Sequence, residues 1–148
     1  MIATSVPEPA ALLCQVIPFL YLPTRHHNAL AARMERRVFA AGEEIFRQGE
    51  RSRSVFLLAA GTVAFVEDGE ERSRLRSGHY FGERAALFDK PRRHTVRAIE
   101  EVVVYALPAV DFLALVDDHP TFRLSLARSL TVKHSIFHGF QAIWAQIL

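Results

Sequence analysis

Six of the seven glycines in this 148-residue sequence fall between Phe39 and Leu107: Gly42, Gly49, Gly61, Gly69, Gly78 and Gly82. They divide the region into apolar runs too short for ordinary helices and rich in β-branched and aromatic residues. Ser54–Leu58, Thr62–Val66, Thr95–Ile99 and Val102–Leu107 read as strands. Asp68-Gly69, just after the second of these, reads as a hairpin turn, because glycine takes the positive φ that a type I′ turn requires. Short strands with turn signals at this spacing predict a closed or sandwiched β-structure and argue against a βαβ fold.

Helical patterns bracket this region. Leu12, Leu13, Val16 and Ile17 repeat at helical spacing until Pro18 stops them. Thr24–Val38 reads as a second short helix, with Thr24 as N-cap and Leu30, Ala31, Met34 and Val38 on one face. After Pro108, the residues Val110, Leu113 and Leu115, with Asp111 near the start, predict a short helix that ends by His119-Pro120. Thr121–Leu148 reads as a longer helix, weakened by Gly139, with a stripe of Leu126, Leu130, Phe137, Phe140, Trp144 and Ile147. The expected organisation is one domain over 1–148: a helical segment at 1–38, a mainly β region at 39–107 and C-terminal helices at 108–148. A chain of this size buries roughly 68–70% of its unfolded surface, so the fold requires neither disulfide nor metal.

Composition narrows the function classes. Lys+Arg 18 against Asp+Glu 16 leaves +2, too small a surplus to argue for nucleic acid as a partner. The lone Cys14 supplies neither an internal disulfide nor a zinc knuckle; its thiol is expected to be buried and inert, and the cytoplasm is the expected compartment. The longest apolar stretches, Ala10–Pro23 and Val102–Val116, are broken by prolines or by Asp111 and fall short of the ~20 residues a membrane span needs, so no membrane insertion is expected. No basic residue precedes Arg25, and Glu8 with four prolines interrupts the start, which is unlike a secretory signal. His134 and His138 stand four apart, but two ligands without a third make a poor zinc site, and no metal is expected. The sequence has no His-x-His for a cupin-type metal enzyme and no Gly-x-Ser-x-Gly elbow for a triad hydrolase, so no enzyme is expected.

The segment that carries chemistry is Phe81-Gly82-Glu83-Arg84-Ala85-Ala86-Leu87, then Phe88-Asp89-Lys90, then Pro91-Arg92-Arg93-His94-Thr95-Val96. Gly82 lets a ligand approach the backbone where a Cβ would clash. Glu83–Leu87 has the length of one helical turn, whose first N–H groups attract an anion. Arg92 and Arg93 offer guanidinium forks to the same anion. A carboxylate at Glu83 repels phosphate and suits hydroxyl groups instead. Together these parts describe a sugar-phosphate site.

These residues resemble the cyclic nucleotide-binding domain family, which includes the regulatory subunits of protein kinase A, the catabolite activator protein and the cyclic-nucleotide-gated channels. The family's phosphate-binding cassette is matched by Phe81-Gly82-Glu83, Pro91-Arg92 and Thr95-Val96 at the kinase-type spacing. Gly42-Glu43-Glu44-Ile45-Phe46-Arg47-Gln48-Gly49-Glu50 looks like the family's first-strand signature, and Gly61 matches its strand-bend glycine. The likeness runs from about Pro18 to about Leu130. It implies an eight-stranded-type β-roll (a double-stranded β-helix, jelly-roll-like) with N- and C-terminal helices and the cassette at 81–96. By the resemblance, Glu83 bonds the ribose 2′-hydroxyl, Arg92 bonds the cyclic phosphate, and the amides of Gly82, Glu83 and Ala85 surround it.

The expected ligand-binding residues are therefore Phe81, Gly82, Glu83, Arg84, Ala85, Arg92, Arg93 and His94. Three of them depart from the pattern. Arg84 stands where an apolar residue is usual, and Arg93 and His94 stand where small ones are. Arg93 either adds a second phosphate contact or crowds the pocket. No Ser or Thr follows Arg92, so the hydroxyl associated with cGMP is missing, and the ligand expectation leans to cAMP with cGMP as the alternative. No cofactor is expected. The resemblance implies a regulatory sensor that relays binding through its C-terminal helices, by homodimerisation or by contact with an effector domain. The tail aromatics either lid the base or pack against a partner. The second reading is a β-roll that has lost the ligand and serves as a dimerisation or docking module. Family transcription factors carry a helix-turn-helix domain after this helix and the sequence stops before one, so no DNA binding is expected. Thr95–Glu100 followed by Val102–Leu107 also looks like the sensor head of bacterial proteins with CBS and nucleotidyltransferase domains.

Overall fold

Two runs, Val-Phe-Leu-Leu-Ala-Ala and Val-Val-Val-Tyr-Ala-Leu, show no alternation of apolar and polar residues, and this explains the architecture. In the structure, a computed structural model that describes residues 6–137, both runs are strands with every residue buried. In chain order the strands are β1 (Glu35–Phe39), β2 (Glu44–Phe46), β3 (Val55–Ala60), β4 (Thr62–Glu67), β5 (Glu70–Arg76), β6 (Tyr80–Phe81), β7 (Thr95–Ala98) and β8 (Val102–Leu107). They form two four-stranded antiparallel sheets, ordered β1-β8-β3-β6 and β2-β7-β4-β5. This is the expected eight-stranded β-roll with flanking helices.

The strands β3 and β8 have no solvent face because each sheet face meets a different core. Phe56, Leu58, Val102, Val104 and Ala106 point between the sheets and meet Phe46, Val63, Phe81 and Val96. Val55, Leu57, Val103, Tyr105 and Leu107 point the other way and are covered by helices. These are α1 (Pro9–Leu13), α2 (Thr24–Ala31), α4 (Ala109–Asp118) and α5 (Pro120–Phe137), with a 3₁₀ turn at Phe19–Tyr21. Phe19, Phe112 and Phe122 pack on one another there, with ring centroids 5.2–6.3 Å apart. By contrast β5, an edge strand, reads Glu-Glu-Arg-Ser-Arg-Leu-Arg and keeps one face in water.

The hairpin at Asp68-Gly69 forms as expected: Glu67 faces Glu70, and both turn residues have positive φ, 53° and 81°. The N-terminal region departs from its helical reading. The first helix stops at Leu13, and Ile17 is exposed. The second helix stops at Ala31, and Thr24 is its first residue with no side-chain cap. Glu35–Phe39 is instead a strand, paired in register with β8 from Glu35↔Ala106 to Phe39↔Val102. The free edge of β8 offers that stretch a ladder of backbone bonds, which outweighs local helix propensity. Cys14 is exposed, which corrects the expectation of a buried thiol; its Sγ lies 3.3 Å from Nδ1 of the buried His27. Among the described residues no helix is long and apolar enough to cross a membrane. In the tail stripe Leu126 and Leu130 are buried in the outer core, while Phe140, Trp144, Ile147 and His138 lie outside the described residues, as do the side chains of His134 and Phe137.

The two cores make a paired prediction. Leu57→Ala opens the helix-covered core and Leu58→Ala the inter-sheet core, and each residue is 0% exposed. Each substitution should cost about 2–5 kcal/mol, read as loss of chemical-denaturation midpoint. Val110→Ala, on an exposed helical position, should stay within about 0.5 kcal/mol of the wild type.

Candidate functional site

The chain leaves β6 through Gly82, at φ 86°, and enters the short helix α3 (Glu83–Phe88), which Asp89 ends at φ 51°. The following loop returns to β7 through Pro91-Arg92-Arg93-His94. Between this excursion and the β-roll lies a cavity of about 440 Å³. All eight expected residues, Phe81, Gly82, Glu83, Arg84, Ala85, Arg92, Arg93 and His94, line it. The opposite wall comes from Phe65 of β4 and from Ser73, Arg74 and Leu75 of β5.

Arg92 is only 4% exposed, and the way it is held explains the local fold. Its Nη1 donates to the Gly82 carbonyl at 2.7 Å, its Nη2 to the Ser54 carbonyl at 2.7 Å and its Nε to Ser52 Oγ at 3.1 Å. The guanidinium carbon lies 4.0 Å from the centroid of the Phe46 ring, a close cation–π contact. Its own backbone is clamped as well, with N–H donating to Glu50 O and C=O accepting from Gly49 N–H, both at 2.7 Å. Burial pulls the guanidinium down to about 10, against the pull of Glu83 and Glu50 toward the charged form. At neutral pH it stays protonated, with five N–H groups of which three are engaged. Glu83, at 4% exposure, is the buried carboxylate of the same wall.

The structure adds a second reason for glycine at 82. A Cβ there would meet Arg92 Nη1 at 2.9 Å and the Ser54 carbonyl at 3.3 Å. The residue makes room for the arginine beneath it as well as supplying the left-handed turn. Arg93 lines the cavity, and its Nε donates to Glu67 Oε2 at 3.1 Å. His94 stands edge-on to Phe65, with its Nε2 3.9 Å from Glu67 Oε1. Arg84 is part-buried, and burial followed by the Arg93 charge lowers its pKa from the ordinary guanidinium value. Arg97 is exposed on β7 and does not line the cavity.

Several supporting residues escaped the sequence reading. Arg53 donates through Nη2 to the Ala86 carbonyl at 2.9 Å and through Nε to the Ala85 carbonyl at 3.3 Å, closing the end of α3. Ser52, Ser54 and Phe46 grip Arg92 from 38 to 46 residues upstream, so no local pattern could point to them. Only the family-like stretch Gly42–Glu50 gave a signal, and its Gly49-Glu50 turn is the clamp on the Arg92 backbone.

Comparison with known proteins agrees with this geometry. The family described as "Cyclic nucleotide-binding domain" matches residues 36–119, more than half of the chain. A cAMP-dependent protein kinase regulatory subunit of Debaryomyces hansenii is 31% identical over 103 residues, covering 62% of this chain and 23% of that protein. A cGMP-dependent protein kinase of Toxoplasma gondii is 34% identical over 88 residues, covering 60% of this chain and 9% of that protein. Among solved structures, the regulatory domain of Toxoplasma gondii PKA with cAMP superposes with TM-score 0.70 at 27% identity, over 85% of this chain and 49% of that one. The chain thus spans at most about a quarter of these curated relatives.

Removing the arginine leaves the Gly82 and Ser54 carbonyls without their donor, at about 1–3 kcal/mol each, partly offset by relief of a buried charge. Arg92→Met should therefore lower stability by about 2–4 kcal/mol in the absence of any ligand. Gly82→Ala should cost about 1–3 kcal/mol through strain at positive φ. Thermal melting of the two variants beside the wild type checks both.

Proposed function

The chain belongs to the cyclic nucleotide-binding domain family, and from that we propose that it is a regulatory sensor that binds a cyclic nucleotide, cAMP before cGMP. The observation that carries the reading is one cavity of about 440 Å³ whose wall holds buried Glu83 beside buried Arg92. Arg92 provides charge-assisted bonds for the cyclic phosphate, and its two uncommitted N–H groups remain for the ligand. The amides of Gly82, Glu83 and Ala85 meet the same phosphate at the start of α3, and the Glu83 carboxylate accepts from the ribose 2′-hydroxyl. The relatives name both cAMP- and cGMP-dependent proteins. The preference for cAMP rests on Arg93, which stands where a hydroxyl residue would favour cGMP.

The relay runs through packing. Ala86 and Leu87 of α3 share the outer core with Phe112 and Leu115 of α4. Tyr80, just ahead of the cassette, donates its O–H to Ser129 Oγ of α5 at 3.1 Å. A ligand that moves α3 therefore shifts α4 and α5, and these act on an effector domain or on a second copy of the chain. The shift is limited by the ligand's differential affinity for the two arrangements. The module is non-catalytic, works in the cytoplasm and does not itself bind DNA. A second reading keeps the β-roll as a docking or dimerisation module without ligand; Arg93 and His94, at positions usually held by small residues, favour it.

A ligand at ~100 times its dissociation constant should stabilise the domain by about 2.7 kcal/mol, a melting shift of roughly 5–10 °C for a chain of this size. No shift at millimolar cAMP or cGMP would support the second reading. The pH dependence follows from Arg92. Its pKa near 10 in the free protein rises when an anion binds, so the complex holds more protons above pH 10. Affinity measured with a fluorescent cAMP analogue should be flat from pH 7 to 9. Above about pH 10 it should fall by up to tenfold per unit.

A further inference from the structure

Four guanidiniums line one cavity, and they are not equally provided for: Arg74 on the opposite wall is paired with Glu71. Arg92 has two carbonyls, a hydroxyl and a phenyl face. Arg93 has the Glu67 carboxylate. Arg84 lines the same cavity with its Nε shut off from solvent, and among the described residues that atom has no hydrogen-bond partner. A buried donor without an acceptor costs about as much as a lost hydrogen bond, and a native fold keeps one only where something else supplies the acceptor. The surroundings say what that acceptor is. Arg93 disfavours the charge on Arg84 while Glu83 and Glu67 favour it, yet Nε has no acceptor; an anion beside Arg84 and Arg93 relieves the repulsion and supplies the missing bond.

We propose that Arg84 is a second cationic contact to the anionic phosphate of the bound nucleotide, made by a side chain where the family pattern has an apolar residue. This rests on the reading of the cavity as a cyclic-nucleotide site. It divides the labour differently from the residue pattern: Arg92 is the structural guanidinium that also touches ligand, Arg93 pairs with Glu67, and Arg84 carries the buried Nε donor that the ligand's negative charge matches. In the ligand-free protein Arg84 is a cost to stability, and in the complex it is a bond.

The test compares wild type, Arg84→Leu and Arg84→Lys by melting and by calorimetric titration with cAMP at two salt concentrations. Arg84→Leu should melt no lower than the wild type without ligand, bind cAMP at least tenfold more weakly and lose part of the salt dependence of binding. Arg84→Lys should recover most of the affinity. Equal affinity and salt dependence in Arg84→Leu would overturn the proposal. So would a ligand-free melting point more than about 5 °C lower, which marks a packing role. If the wild type binds neither cAMP nor cGMP, it is the cyclic-nucleotide reading that fails, and inorganic phosphate then decides on Arg84. Stabilisation of the wild type by phosphate over chloride of equal ionic strength, lost in Arg84→Leu, sustains an anion contact at Arg84; equal response in the two proteins overturns it.

Discussion

The buried guanidinium of Arg92 is the interaction on which the rest of the site depends. It draws together three pieces of chain that are distant in sequence: the Ser52–Ser54 stretch ahead of β3, the Gly82 turn ahead of α3, and the Phe46 ring of β2. Two of its acceptors are backbone carbonyls that would otherwise be left without donors at the mouth of the roll. The desolvation that lowers its pKa is offset by those bonds and by the aromatic face, so the positive charge is fixed in place before any ligand arrives. A preorganised charge of this kind loses little entropy on binding an anion.

Around that centre the fold is arranged to keep α3 in place while leaving its first turn accessible. Arg53 caps the far end of α3 through the Ala85 and Ala86 carbonyls, and Ala86 with Leu87 anchors its underside in the helical core. The near end begins at the left-handed Gly82. The same helix is therefore both a wall of the cavity and part of the surface on which α4 packs. Under the proposed function, this dual placement would couple binding to the C-terminal helices without a long pathway.

How much of this was legible in the sequence depends on whether the controlling contact is local. The strand Val102–Leu107 and the Asp68-Gly69 hairpin were readable because an apolar run and a positive-φ turn declare themselves within a few residues. The segment at 81–96 was readable because its residues lie close together in sequence, and all eight expected residues line one cavity. The strand Glu35–Phe39 was not, because its charged sequence is drawn into the sheet by the free edge of β8, 63 to 71 residues away. The partners of Arg92 were hidden for the same reason, and so was a second reason for Gly82, which is the arginine packed against it. Arg93 reads locally as a phosphate ligand, and only the strand pairing that brings Glu67 beside it shows its other partner.

The central claim is that buried Arg92 and Glu83 form a working cyclic-nucleotide site. Calorimetric titration of the wild type and of Arg92→Lys with cAMP tests it most directly, because lysine keeps the charge but lacks the guanidinium fork. The account predicts one cAMP per chain for the wild type and at least tenfold weaker binding by Arg92→Lys. Absence of binding heat in the wild type, or equal affinity in the two proteins, would contradict it.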